Sequence, residues 1–542
     1  MRRLAIVLCA LLALPLLGIA GAWLMPQADS LELLRHQAAT VLPGYALTSL
    51  LLAVGVGVGV GVLGGATAAA VSLFDFPGRR FFEWALLLPL AMPAYVLAYA
   101  MTDFLQYSGP LQSGLRTLTG AEGALWPDVR SLPGAIALFT LALYPYVYLL
   151  TRGALLERGL HLMEAARLLG AGLGRRVRSV ALPLARPALA AGVALALMET
   201  LADYGVGSYF GLGTFTTGIY KAWLSMDDRL AAAQLATVLL LVVAVLLWAE
   251  RRAQARLRYA SSRSGGGRGS EARAVQLSGR HAALAVALCA TPVLLGFALP
   301  VAVLLHGVWR EASYGGVEGT GGLPWARFAG WAWTSLQLAT LAALAAVALA
   351  LLIGFLLRTR SGGLMPPLAR LVSLGYAVPG AVIAVGLLLP LGWVQQAAPG
   401  SAAAGWAQLA VTGSIGGLLY AYLVRFSAVA LQSVESGYAR ISPSFDDTAR
   451  TLGAGSARLF FGVHAPLLTR AALAAGLLVF VDVMKELPAT LVLRPFDSDT
   501  LAVVAYQFAR DERLAEAALP SLAIVIVGLL PVMMLSRAMR GR

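Results

Sequence analysis

Five charged side chains sit where the sequence is otherwise apolar, and their types and spacing could do chemistry. Glu199 and Asp203 lie four residues apart at the end of one long apolar run; Asp482, Lys485 and Glu486 read as one face of another. A charge inside a membrane span is costly and marks a functional position by default. Two chemistries suit the set. Carboxylates, with tyrosines, supply the hard oxygen donors that a hard cation prefers, which places these residues along a translocation path. Alternatively they are structural pairs: Asp482 and Lys485, at i and i+3, can neutralise each other and fix two central helices. No catalytic residue and no metal site is expected. No Gly-rich run ends in Gly-Lys-Ser or Gly-Lys-Thr, so ATP-hydrolysing machinery is not encoded. Cys9 and Cys289 lie in apolar runs without ligand spacing.

The elements that must hold these charges are membrane helices. Of the 542 residues, 59% are hydrophobic and only 13% charged, fewer charges than a soluble surface of this size needs. The apolar runs do not alternate as barrel strands would, and about 20 consecutive apolar residues span a bilayer. Twelve spans are predicted: about 4–24, 46–72, 81–104, 133–151, 187–205, 230–249, 281–307, 332–357, 367–391, 406–427, 470–491 and 514–535. The expected fold is an all-α, polytopic membrane protein with 12 transmembrane helices. The first span reads as a retained helix, because Trp23-Leu24-Met25-Pro26 makes a poor cleavage site. In the second, Gly57, Gly61 and Gly65 recur every four residues, a spacing for close helix approach. Tyr144, Tyr146 and Tyr148 suit an aromatic belt at one membrane surface.

One stretch occurs twice. EAARLLGAG at 164–172 returns as DTARTLGAG at 447–455, offset by 283, and each copy leads to a proline, Pro183 or Pro466. TSL at 48–50 returns at 334–336, and AMP at 91–93 returns as AVP at 377–379, both offset by 286. The pattern implies two homologous halves, 1–249 and 281–542, joined by an Arg- and Gly-rich linker at 250–280. The net charge of +14 would suit a nucleic-acid arm, but nothing downstream reads as a binding module. Its distribution speaks for topology instead. Thirty of the 41 basic residues fall on the side that holds both termini, and ten on the other. Short basic loops stay cytoplasmic, so the termini, the linker and both repeated stretches are expected there.

The repeated stretches resemble the cytoplasmic Glu-Ala-Ala loop of bacterial ABC importer permeases, of the type I kind. The first copy has Glu164-Ala165-Ala166, Gly170 and Leu182-Pro183; the second has Asp447-Thr448-Ala449, Gly453 and Ala465-Pro466, and departs from the pattern at Asp447 and Thr448. The run from Asp482 to Thr490, Leu493-Arg494-Pro495, the stretch 511–517 and the stretch 199–205 resemble the ferric-iron permeases in which two halves are fused. Fused thiamine permeases look alike, and sulfate and polyamine permeases are related.

The resemblance implies that Glu164, Ala165, Ala166, Gly170 and Pro183, with Asp447, Ala449, Gly453 and Pro466, belong to two coupling helices seated on an ATPase dimer. It implies that this chain is not an enzyme and binds no cofactor, with ATP and Mg on the ATPase. It also implies a periplasmic substrate-binding protein docking on the loops 105–132, 206–229, 309–330 and 492–511, a place in the bacterial inner membrane among its lipids, and no nucleic-acid partner. A self-contained secondary transporter is the competing reading, since repeats occur there too.

Overall fold

The computed structural model describes residues 2–21, 23, 30–156, 160–262, 274–314, 322–359, 365–397, 399–402, 405 and 414–540. Among them, nine helices are long and apolar enough to cross a membrane, or up to eleven if each of two sharply bent pairs is one span. The protein is an all-α, polytopic membrane protein. The one strand pairing among the described residues is short and parallel, Phe74 with Val275 and Asp75 with Gln276.

Proline chemistry explains where this differs from twelve straight spans. The expected third and ninth spans are the bent pairs: Arg79–Ala91 turns by 93° into Ala94–Thr119, and Met365–Ala377 by 120° into Gly380–Gln395. Pro93 and Pro379 follow Met92 (φ −97°, ψ 109°) and Val378 (φ −79°, ψ 123°), which are extended as pre-proline residues prefer. The first apolar run forms the helix Arg2–Gly21, in which the apolar stretch Ile6–Ile19 is shorter than a full span. The helix Arg229–Ser262 runs into the expected linker, through a segment rich in Ala and Arg, both good helix formers. Residues 263–273 lie outside the described residues.

By contacts the chain divides into two units, each drawing on segments from before and after residues 250–280. The first comprises Met1–Thr40, Gly218–Leu240 and Pro324–Val504. Its core is formed by the helices Trp325–Thr359, Ile415–Tyr438 and Ala465–Met484, which pack on one another. The helix Arg2–Gly21 lies against Gly380–Ala397. The contact is close: a Cβ on Gly386 would sit 2.2 Å from the Pro15 carbonyl oxygen. The Ser335 hydroxyl accepts a bond from the Leu501 amide at 2.8 Å.

The second unit comprises Val41–Thr217, Leu241–Leu323 and Ala505–Arg542. Its core is the trio Leu42–Leu73, Leu132–Ala154 and Leu182–Ala202. Small residues set the approach, as in lipid where apolar burial gives helices little reason to associate. The tight row is Gly55, Gly59 and Gly64, however. A Cβ there would meet Ile136 at 2.6 Å, Thr140 at 2.3 Å and the Tyr144 carbonyl oxygen at 2.7 Å. Gly57 and Gly61 face Val193 at an ordinary 3.5 Å. Tyr144 and Tyr148 are not belt residues. Four apart on one helix face, both are buried and donate to the Leu86 and Glu83 carbonyls at 2.9 Å. The Ser49 hydroxyl accepts from the Phe215 amide at 3.3 Å.

Candidate functional site: two exposed helices and a buried ion pair

The first repeated stretch folds as the helix Leu160–Leu168 and the second as Pro443–Thr451. Ser442 caps the second, its hydroxyl accepting from the Ser444 amide, and Pro443 suits the first helical position. Both helices end in the same way. The Gly170 amide bonds the Arg167 carbonyl at 2.9 Å and the Ala171 amide bonds that of Ala166 at 3.0 Å; Gly453 and Ala454 bond Arg450 and Ala449, each at 2.9 Å. Each glycine is left-handed, φ +80° at Gly170 and +79° at Gly453, and a Cβ added at either would have nothing within 4 Å. The glycines thus serve a turn that L side chains resist, not a close backbone approach.

Beyond each turn the chain re-enters helix through a single wide turn, Val177–Ala181 or Phe460–His464, and Pro183 and Pro466 stand at the start of the helices Leu182–Ala202 and Ala465–Met484. Glu164, Ala165, Asp447 and the glycines are exposed, and Ala166 and Ala449 partly so. Leu169 and Leu452 are 88% and 79% exposed, and Leu168 84%. Large apolar side chains beside exposed acids form a surface suited to a protein partner.

What holds each helix down differs. Under the first lies an apolar cluster of Leu73, Leu155, Met163, Ala181 and Ala185. Under the second, buried Asp446 accepts from Arg358 Nε at 2.8 Å and from His464 Nε2 at 2.9 Å. Arg358 also donates to the Ile441 carbonyl at 3.0 Å, and the Tyr438 hydroxyl lies 3.3 Å from His464 Nδ1. Burial raises the Asp446 carboxyl, but the bonds from Arg358 and His464 more than offset it and hold the group below its ordinary value. Its contribution to stability is therefore present above the ordinary carboxylate range and is lost as pH falls through the depressed value.

The five charges expected within spans divide into four settings. Glu199 is half-buried in Leu182–Ala202. Asp203 follows the end of that helix and accepts from the Val206 amide at 2.7 Å, in the first turn of the short helix Gly205–Tyr209. Asp482 and Lys485 do pair, at 3.0 Å. Glu486 does not share their face, because the helix ends at Met484. Its carboxylate turns inward, with its side chain 1% exposed, and meets Arg425 Nη1 at 3.1 Å. It also accepts from the Ala489 and Thr490 amides at 2.9 and 3.0 Å and from the Thr490 hydroxyl. The Tyr422 hydroxyl lies 2.7 Å from the same threonine oxygen. Gly380 borders the pair; a Cβ there would fall 2.7 Å from Glu486 Oε1.

Arg425, Asp446, His464 and Arg358 are the residues that sequence reasoning missed. Placing a span at 406–427 put Arg425 at its edge among the loop charges, whereas the helix runs Ile415–Tyr438 and holds Arg425 mid-length. A lone arginine among apolar residues was the available signal. His464 and Asp446, eighteen residues apart, gave none. No group of three or more His, Cys, Asp or Glu side chains that could hold a metal ion occurs among the described residues.

Comparison with known proteins agrees with this geometry. Residues 61–259 match the family described as binding-protein-dependent transport system inner membrane component. The chain is 26% identical over 513 residues to the Fe(3+)-transport system permease protein FbpB 2 of Haemophilus influenzae, covering 94% of this chain and 92% of that one. It is 28% identical to the sulfate transport system permease protein CysT of Salmonella typhimurium, over 40% of this chain and 77% of that one. It is 26% identical to the putative 2-aminoethylphosphonate transport system permease protein PhnU of Salmonella choleraesuis, over 36% of this chain and 69% of that one. The long apolar helices and the pair of exposed loop helices accord with this likeness to the inner membrane components of binding-protein-dependent transport systems, which the family match carries over residues 61–259.

Proposed function

We propose that the chain is a fused two-half permease that passes ferric iron from a periplasmic binding protein to the cytoplasm, driven by a separate ATPase dimer that carries ATP and Mg. The observation that carries the reading is coverage. The likeness to a ferric-iron permease runs through 94% of the chain, whereas those to sulfate and aminoethylphosphonate permeases run through 40% and 36%. In this reading the chain has twelve spans in two halves, and the halves are supported by geometry that recurs at offsets of 283 and 286 residues. Ser49 and Ser335 each accept from a backbone amide 166 residues on. Asp203 and Glu486 each accept from the amide three residues ahead. Gly170 and Gly453 share a left-handed turn. The excess of basic residues on one side supports cytoplasmic termini, linker and coupling helices.

Glu164, Ala165, Ala166, Gly170 and Pro183, with Asp447, Ala449, Gly453 and Pro466, form the ATPase-coupling loops in this reading, and Glu199, Asp203, Asp482, Lys485 and Glu486 border the path. Ferric ion is then cargo; the chain keeps no cofactor. The test is uptake of labelled ferric iron and labelled thiamine in cells with and without this chain, both partner proteins present. Iron uptake should fall to background on deletion while thiamine uptake stays. Lost thiamine uptake beside unchanged iron uptake would reverse the substrate and leave the importer standing.

A further inference from the structure

The two coupling helices are seated by different chemistry. Position 163 precedes Glu164 and position 446 precedes Asp447, 283 residues apart, and at the same offset Leu155 faces Tyr438 and Ala181 faces His464 in sequence register. In the first loop these positions hold Met163, Leu155 and Ala181, packed together and ringed by Ala69, Phe74, Val177 and Leu189. In the second they hold Asp446, Tyr438 and His464, completed by Arg358 from the end of Trp325–Thr359. Phe355 packs edge-on against both His464 and Phe460.

We propose that Asp446 is the positioning residue of the second coupling helix, fixing it to the membrane helices through Arg358 and His464, while among the described residues the first helix is seated by apolar packing. An apolar joint yields gradually when one group is trimmed. A buried carboxylate held by two donors is lost nearly as a unit, because the arginine left behind is partly buried and loses its countercharge. Asp446 Oδ1 can only accept, so His464 Nε2 donates and Nδ1 is left to face the Tyr438 hydroxyl. Arg358 and His464 thus bond the carboxylate directly, and Tyr438 reaches it through the His464 ring. That this helix drives transport rests on the proposed function; how it is seated does not.

Limited trypsinolysis of the full chain in liposomes tests the seating directly. Arg450 and Arg458 report on the second loop, Arg167 and Arg175 on the first, in one sample. In Asp446→Asn, cleavage at Arg450 relative to Arg167 should rise about tenfold or more, the result of losing a buried charged bond. His464→Leu should raise it likewise. His464→Gln, which keeps a donor near Nε2, should restore the wild-type ratio, an outcome that a purely space-filling role does not produce. An unchanged ratio in Asp446→Asn, or equal effects of Leu and Gln at 464, would overturn the proposal. A parallel measurement of ATPase stimulation in the assembled complex separates the two ideas. If wild-type chain fails to stimulate the ATPase, the transport reading falls and the tryptic ratio still decides the seating.

Discussion

Glu486→Ala is expected to strip the membrane of folded protein. The carboxylate accepts from Arg425, from two backbone amides and from the Thr490 hydroxyl, in a setting where its own side chain is 1% exposed. Truncation takes the carboxylate from a charged Arg425 whose side chain is only 12% exposed, and removing one partner of a buried pair costs roughly 3–5 kcal/mol. That is a large part of an ordinary folding margin of about 5–15 kcal/mol. The measurement is the amount and thermal stability of chain recovered from membranes. Wild-type recovery of Glu486→Ala would mean that the pair contributes nothing. A compensated variant, Glu486→Gln with Arg425→Met, should recover much of the insertion, because an amide oxygen in the place of Oε2 still accepts from the Thr490 amide and hydroxyl and no charge is stranded, at the cost of the acceptor for the Ala489 amide. Its uptake then separates the two readings of these charges. Normal transport makes the pair structural; an inserted but silent variant places it on the path.

The second large effect is expected at the two loop turns. Gly170 and Gly453 hold φ of +80° and +79° with open space around them. A valine at either site meets no neighbour, so the cost is conformational, about 1–3 kcal/mol, and is spent on the turn alone. Gly170→Val and Gly453→Val should therefore insert and fold while losing most transport and ATPase stimulation, about tenfold for each 1.4 kcal/mol that reaches the coupled step. Alanine, with less steric demand at positive φ, should lie between. Normal transport by both valine variants would remove these turns from the coupling machinery.

Much of this was legible in the sequence, for reasons that differ by element. Membrane helices announce themselves because lipid demands long apolar runs. The two loop turns were legible because a helix that must stop in the left-handed region favours glycine, and Gly170 and Gly453 stand in the same register. The Asp482–Lys485 pair followed from helical spacing, and the structure places its atoms 3.0 Å apart.

What stayed hidden depended on where a helix stops. Ending a helix at Met484 sends Glu486 away from its sequence neighbours and toward Arg425, sixty-one residues distant. A different shift, from the expected span 406–427 to the helix Ile415–Tyr438, moved Arg425 from the edge of a span to its middle. Asp446 was overshadowed by Asp447 beside it, since spacing cannot tell the buried acid from the exposed one. The tight glycine row was misplaced because seven glycines in one helix offer several faces with four-residue spacing, and only the partner helix chooses between them.

The central claim is that two exposed helices of this chain transmit the work of a separate ATPase. Single cysteines at Leu169 and at Leu452, in a background lacking Cys9 and Cys289, test it most directly. Each position is highly exposed at the tip of its loop. Treated with a short thiol-to-amine cross-linker in membranes that contain the partner ATPase, both variants should yield a covalent adduct of permease and ATPase, and the yield should change when ATP is added. A cysteine at Ser113, on the opposite side of the expected topology, should yield none. An adduct from Ser113 with none from Leu169 or Leu452 would contradict the account.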